Sequence, residues 1–151
     1  MPDQKNSSSS SDCCANLCWS FLGLRLFLAI RWLFAGLDKF ELNGTYSFAN
    51  YYINMDRMAT GIAESSILPL WSTKIFALPS GYLMLLLGLT LLLGIKMRIS
   101  LIVSLFLYLG LTVGMMAVNE NSGIAWLAIH LIISVMALNR VGSAKWVLWK
   151  D

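Results

Sequence analysis

Two long apolar runs without a single charged residue constrain this chain more than any other feature. Residues 75–95 and 99–119 each reach the roughly 20 residues that an α-helix needs to cross the hydrocarbon core of a bilayer. Of the whole chain, 58% is hydrophobic and only 13% is charged, whereas about a quarter of an ordinary soluble domain is charged. The sequence therefore predicts an integral membrane protein.

Two further spans complete the predicted fold. Residues 122–139 are interrupted only by His130, and residues 17–37 are apolar apart from Arg25 and Arg31. The connections after the second and third of the four predicted spans are short, so the helices that they join must be antiparallel neighbours. The predicted fold class is all-α, a transmembrane four-helix bundle formed by residues 17–151.

The connection between the first two spans, residues 41–74, is long and contains a helical pattern. Polar or small residues recur in steps of three and four, and an apolar stripe adjoins them. The first set is Asn50, Asn54, Arg57, Gly61 and Glu64, and the apolar set is Tyr51, Met55, Met58 and Ile62. This pattern predicts an amphipathic helix that starts after Ser47 as its N-cap, ends before Pro69 and lies at the membrane interface. Such a helix either shields the bundle or forms a lid over a site.

The distribution of basic residues predicts the orientation. With four spans, both termini and the turn between the second and third spans share one side. That side carries Lys5, Lys96, Arg98, Arg140, Lys145 and Lys150. Because cytoplasmic segments hold the excess of Lys and Arg, we expect both termini in the cytoplasm and the loop 41–74 outside. The serine-rich residues 1–16 are predicted to be a disordered cytoplasmic tail.

The polar residues inside the predicted spans, Arg25, Arg31 and His130, are the candidate site residues. A charge near the bilayer centre costs about 3 kcal/mol, so each arginine needs compensation. Arg25 lies nearer the cytoplasmic end, where its long side chain can reach the headgroups. Arg31 has to find a partner on another element. The candidates are Glu64, Tyr108 and Glu120.

Helical geometry limits what the two arginines can contact. Asp38 lies two turns after Arg31, about 10 Å along the axis, and side chains lean away from that direction, so a direct ion pair is not expected. Arg25 and Arg31 differ by about a third of a turn in azimuth, so we do not expect one narrow groove to hold both.

His130 has two interpretations. A neutral imidazole can hydrogen-bond across helices, which makes it a packing residue. Alternatively it carries a proton or contacts a quinone, in a buried cavity where Arg31 and His130 meet Trp32, Tyr82 or Tyr108. We expect no intrinsic cofactor and no metal site, because no metal, phosphate or nucleophile motif is present. There is also no basic patch for nucleic acid.

Glycines in the third span allow close helix packing. Gly110 and Gly114 form a G-x-x-x-G pattern, which lets two helix backbones approach each other. Packing within the bundle is the first interpretation, and a homodimer is the alternative.

Three stretches of the sequence resemble the DoxX family. RLFLAIRWLFAGLDKF at residues 25–40 is similar to its arginine-containing first span, which ends in G-x-x-K. Residues 51–71 resemble its outer loop, and LPSGYLMLLLGLTLLLGIKMRIS at residues 78–100 resembles its second span. One position departs from the pattern, because many members of the family carry glutamate where this chain has Met84. The resemblance implies a four-helix membrane bundle associated with redox complexes.

These observations lead to two functional hypotheses. In the first, the protein is an integral membrane subunit or accessory protein of a redox or respiratory system, which contacts quinone and copurifies with a membrane or redox partner. In the second, it is a non-catalytic membrane protein that assembles or stabilises a larger complex, and its arginines only fix helix packing. The sequence identifies no catalytic residue.

Overall fold

The computed structural model describes the chain from residue 5 to residue 143, with side chains described from residue 16 to residue 142. Its long helices are α1 (Lys5–Leu37), α2 (Phe48–Ser65), α3 (Leu70–Leu93), α4 (Met97–Ala117) and α5 (Asn121–Asn139). Two short 3-10 helices, Asp38–Phe40 and Val141–Ser143, follow α1 and α5. A small antiparallel hairpin of β1 (Glu41–Leu42) and β2 (Thr45–Tyr46) precedes α2.

Among the described residues, four helical segments are long and apolar enough to cross a membrane. They are Asn16–Phe40, Leu70–Leu93, Met97–Ala117 and Asn121–Asn139. The prediction of an all-α, four-span bundle is therefore confirmed. Only a few residues join α3 to α4 and α4 to α5, so the helices of each pair are antiparallel neighbours.

The second span begins five residues earlier than predicted. The predicted span excluded Lys74 because of its charge, whereas α3 starts at Leu70, directly after Pro69. In the structure the Lys74 ammonium lies 2.7 Å from the carboxylate of Asp56 on α2. This ion pair gives the lysine a partner at the start of the span, so the helix can include it.

The first helix also extends beyond its predicted limit. The apolar segment begins at Asn16, close to the predicted boundary at residue 17. The backbone of α1, however, continues back to Lys5, into the segment 1–16 that was predicted to be a tail. Lengthening an existing helix fixes one residue for each hydrogen bond gained, so it is far easier than starting a new helix. The first four residues of the predicted tail lie outside the described residues.

The four spanning helices form a closed ring. Helix α1 packs against α3 and α5, and α4 packs against α5 and α3. The contact between α1 and α3 is very close at Gly88, where an added Cβ would lie 2.8 Å from the backbone nitrogen of Leu33. The interior of the ring is filled by fully buried side chains, including Leu28, Leu91 and Leu101.

The loop between the first two spans is folded as predicted around an amphipathic helix. The Ser47 hydroxyl caps α2 by accepting a hydrogen bond from the backbone N–H of Asn50 at 3.1 Å. The turn of the preceding hairpin is Asn43-Gly44, and both residues have positive φ angles, as tight hairpin turns require. The buried face of α2 comprises Tyr51, Met55, Ala59 and Ile62. This face packs on α3, so the helix covers one end of the bundle.

Candidate functional site

A cavity of about 600 Å³ lies at the end of the bundle that α2 covers. All five long helices and the 3-10 turn after α1 contribute to its wall. Its charged or titratable lining residues are Arg31, Asp38, Lys39, Arg57 and His130. The apolar part of the wall includes Phe76, Met84, Leu111, Trp126 and Leu127. The site therefore combines a charged region with a large hydrophobic surface.

Two of the three candidate site residues, Arg31 and His130, line this cavity together. Arg31 comes from α1 and His130 from α5, so only the folded bundle brings them to one place. The ring of His130 is buried, and its Nδ1 lies 2.6 Å from the carbonyl oxygen of Trp126. Because a carbonyl can only accept, Nδ1 carries the proton, and in the neutral ring Nε2 is an acceptor.

Arg31 makes no hydrogen bond and no ion pair to any other residue in the described part of the chain. Its predicted partners Glu64, Tyr108 and Glu120 do not bind it. Glu120 instead accepts a hydrogen bond from Ser122 at 2.7 Å. Asp38 lines the same cavity but forms no ion pair with Arg31, in agreement with the expectation from helical geometry.

Arg25, the third candidate, lies away from the cavity and binds the end of α3. Its Nε–H donates to the carbonyl of Leu91 and its Nη2–H to the carbonyl of Leu92, each at 2.7 Å. These carbonyls belong to the last turn of α3, which has no further helical N–H to bind them and carries partial negative charge. The side chain is only 5% exposed, so it is surrounded by the protein itself. Its contact with the headgroups stays a prediction.

Trp32 and Tyr108 form a layer next to His130 and do not line the cavity themselves. Their ring centroids are 4.2 Å apart, and the centroid of Tyr108 lies 5.5 Å from that of His130. The indole N–H of Trp32 donates to the Ser104 hydroxyl at 2.6 Å. The hydroxyl of Tyr108 is buried without a hydrogen-bond partner among the described residues.

Tyr82 belongs to a different cluster and does not line the cavity. It packs against Phe40 and Tyr51, with ring centroids 5.7 and 4.6 Å away. Tyr51 donates a hydrogen bond from its hydroxyl to the carbonyl of Leu78, and its burial raises the pKa of its phenol. Gly81 makes room for the Tyr51 ring, since an added Cβ there would lie 2.5 Å from it. This aromatic cluster fixes α2 on α3.

Sequence reasoning did not assign Asp38, Lys39, Arg57 or Met84 to a site. The one sequence signal for these residues was the position of Arg57 on the polar face of the amphipathic helix. Met84 was noted only as a departure from a family pattern, but it is buried and lines the cavity.

The glycines of the third span face neighbours within the chain. An added Cβ at Gly110 would lie 2.9 Å from the ring of Phe76, and one at Gly114 would lie 3.5 Å from Ile62. Both positions therefore serve packing within the bundle, and a homodimer stays a prediction. In the described part of the chain, no group of three or more His, Cys, Asp or Glu side chains could hold a metal ion.

Comparison with known proteins replaces the suggested family. A family model described as methylamine utilisation protein MauE matches residues 17–125. No curated protein and no solved structure matches the chain. The assignment to the DoxX family is therefore wrong. Its motifs were apolar spans rich in Leu and Gly with a few basic residues, and the bilayer imposes this composition on many unrelated helices. The matched segment covers the first three spans and the start of the fourth, and the chain belongs to the MauE family of membrane proteins.

Proposed function

We propose that this protein is an integral membrane accessory protein of a redox system and that its cavity binds the polar head of a lipid-soluble molecule. The match to a family described as methylamine utilisation protein MauE supports an accessory role to metabolic enzymes. One observation carries the choice of the cavity. Arg31, a cation within a membrane span, faces a cavity that also contains His130, and no described residue pairs with it.

An unpaired charge inside a membrane is energetically unfavourable. An arginine inside a span costs about 3 kcal/mol, and Arg25 shows how a protein offsets that cost with carbonyl partners. Arg31 has no such partner in the described chain, although it lies in the same helix. A ligand that accepts hydrogen bonds from its guanidinium would supply the missing compensation.

Quinone is the first ligand to test. Its carbonyl oxygens accept hydrogen bonds, which matches the donors of Arg31, and Nε2 of His130 can accept a hydrogen bond from the hydroxyl of a quinol. The apolar wall around Phe76 and Leu127 suits a ring with a hydrocarbon tail. The cavity volume of about 600 Å³ is within the range of small-molecule sites.

The contacts that Arg25 makes with α3 favour a second candidate function. Because this arginine binds two carbonyls at the end of α3, the protein does use a charged residue for helix packing. In this alternative the protein assembles or stabilises a larger complex and its cavity holds no ligand. The partner would then be a membrane or redox protein that contacts the exposed apolar faces of the spans.

The test is purification in a mild detergent, followed by extraction and mass spectrometry of bound lipid-soluble molecules. Gly61→Leu is the most informative variant, because Gly61 lines the cavity and an added Cβ meets no atom within 4 Å. The new side chain should fill the cavity without disturbing the fold. Gly23→Leu is its matched control, since Gly23 is also unobstructed within a helix but does not line the cavity.

Stoichiometric quinone in the wild type and in Gly23→Leu, but not in Gly61→Leu, Arg31→Gln or His130→Ala, would support the proposal. Another lipid-soluble molecule with the same pattern would support the cavity and exclude quinone. If the folded wild type carries no such molecule, or if Gly61→Leu retains it, the cavity is not the site and the assembly function is preferred.

We also propose that both termini lie in the cytoplasm, which would place the cavity near the outer surface. Lys96 and Arg98 lie at the opposite end of the bundle from α2, and the positive-inside rule supports a cytoplasmic position for them. Single cysteines at Ser65 and at Lys96, in a chain without its native cysteines, test this. A membrane-impermeant maleimide should label only position 65 in intact cells, and labelling of position 96 alone would reverse the orientation.

A further inference from the structure

The charges around the cavity are strongly unequal. Three of its lining residues, Arg31, Lys39 and Arg57, are cations, whereas Asp38 is the one carboxylate among the lining residues. They come from three different elements, namely α1, the 3-10 turn after it and α2. The fold therefore brings together three positive charges that the sequence separates.

The described residues form no direct ion pair that would neutralise these cations. No carboxylate in the described part of the chain lies within ion-pair distance of Arg31, Lys39 or Arg57. The one ion pair found among the described residues, Lys74 with Asp56, lies outside the cavity lining. Like charges repel one another and a bound anion offsets that repulsion, so the cluster is more stable when an anion is bound.

The rest of the wall has the opposite character. Phe76, Met84, Leu111 and Leu127, from α3, α4 and α5, are apolar lining residues, and Met84 is buried in the bundle. The lining cations all come from α1, the turn after it and α2, and they form the cationic side of the cavity. The residues that α3 and α4 contribute are apolar and form its apolar side. A ligand that satisfies both sides must have an anionic head and an apolar body.

We infer that the cavity binds an amphiphile with a single anionic head, a carboxylate or a phosphate, which lies among Arg31, Lys39 and Arg57. The apolar body contacts the wall around Phe76, Met84 and Leu111. This inference rests on the proposed function, because it takes the cavity to be the binding site. It differs from quinone binding in requiring a formal negative charge on the ligand.

The test compares four probes, of which two contain both halves of the proposed ligand and two contain only one half. Dodecanoate and dodecyl phosphate have both halves, dodecanol has only the apolar half, and inorganic phosphate has only the anionic half. Calorimetry with the full chain in nanodiscs of zwitterionic lipid measures each affinity. We expect the two anionic amphiphiles to bind at least about tenfold more tightly than dodecanol, as expected for charge-assisted hydrogen bonds.

Charge substitutions should then move the affinity for dodecanoate in opposite directions. Arg31→Gln and Arg57→Gln should each weaken it about tenfold, because each removes a charge-assisted contact. Asp38→Asn should strengthen it severalfold, because it removes the one carboxylate in the lining. Lys74→Gln is the control, since it removes a cation outside the cavity lining and should leave the affinity unchanged.

The inference fails if dodecanol binds as tightly as dodecanoate, or if Asp38→Asn and Arg31→Gln have no effect in folded protein. It also fails if inorganic phosphate binds as tightly as dodecyl phosphate, because the apolar side would then contribute nothing. Tight binding of neutral decylubiquinone with no binding of the anions would overturn this inference while leaving the proposed function intact. Absence of binding by every amphiphile would overturn both.

Discussion

Arg25 and Arg31 lie in the same membrane helix, less than two turns apart, yet their surroundings differ completely. Arg25 is buried where α1 meets the end of α3, and it donates hydrogen bonds to two carbonyls that the helix itself leaves without partners. Arg31 faces a cavity with two other cations and binds no described residue. The same residue type thus completes the fold at one position and remains available for a ligand at the other.

Two regions of the bundle also differ in how closely their helices pack. Around Gly88 and Leu33 the backbones of α1 and α3 are in close contact, and no side chain fits between them. Near Gly61 the bundle leaves open space between α2 and the spans. A membrane bundle of this size therefore combines a closely packed region that provides stability with a loosely packed region that can accept a ligand.

Gly88→Leu should have the largest effect on stability. An added Cβ would lie 2.8 Å from a backbone nitrogen of α1, so the two helices must separate. Overpacking of this kind should lower the free energy of unfolding by about 3 kcal/mol. Thermal unfolding in detergent measures this loss, with Gly23→Leu as a control that should be unchanged or slightly more stable. Equal stability of the two variants would contradict the close contact between α1 and α3.

Arg25→Ala should be the next most harmful change. It leaves the carbonyls of Leu91 and Leu92 without their donor in a region that water does not reach freely. We expect a loss of about 2 kcal/mol, the scale of an unsatisfied buried polar group, partly offset by removal of a charge from the membrane. Denaturant unfolding followed by tryptophan fluorescence would show it. A variant as stable as the wild type would mean that Arg25 does not hold α3.

Tyr108→Phe should stabilise the protein. The hydroxyl of Tyr108 is buried without a partner among the described residues, so its removal eliminates a desolvation penalty while the ring stays packed on Trp32. We expect a gain of about 1 kcal/mol in ligand-free protein. Destabilisation of a similar size would show instead that a bound water or ligand satisfies this hydroxyl.

Arg31→Gln should not destabilise the ligand-free protein, because no described contact is lost and an uncompensated charge is removed from the span. The contrast with Arg25→Ala, measured under the same conditions, is the sharpest test of the difference between the two arginines. A loss as large as that of Arg25→Ala would assign Arg31 a structural role and remove the main support for the proposed site.

The sequence predicted local features well because their causes are local. The four spans follow from apolar length, and the start of α2 follows from a serine that can cap a helix at Ser47. The azimuth of the two arginines was also predictable from helical geometry. By contrast, the start of α3 was misplaced because the partner of Lys74 is on a different helix.

The candidate site was only partly predictable, for the same reason. Arg31 and His130 were conspicuous as polar residues in apolar helices, and Arg57 was visible on one face of α2. That these residues line one cavity depends on how α2 folds back over the bundle, which no local pattern encodes. The family was misidentified because the composition of a membrane span carries little information about ancestry.

The four spanning helices and the amphipathic helix between the first two could be predicted from the sequence, because hydrophobic length and periodicity act along a single segment. The binding of Arg25 to the end of α3, and the cavity that Arg31, Lys39 and Arg57 share with His130, arise from the packing of the helices. Those relations depend on distances between residues far apart in the chain, and such distances are fixed by helix packing rather than by any one segment.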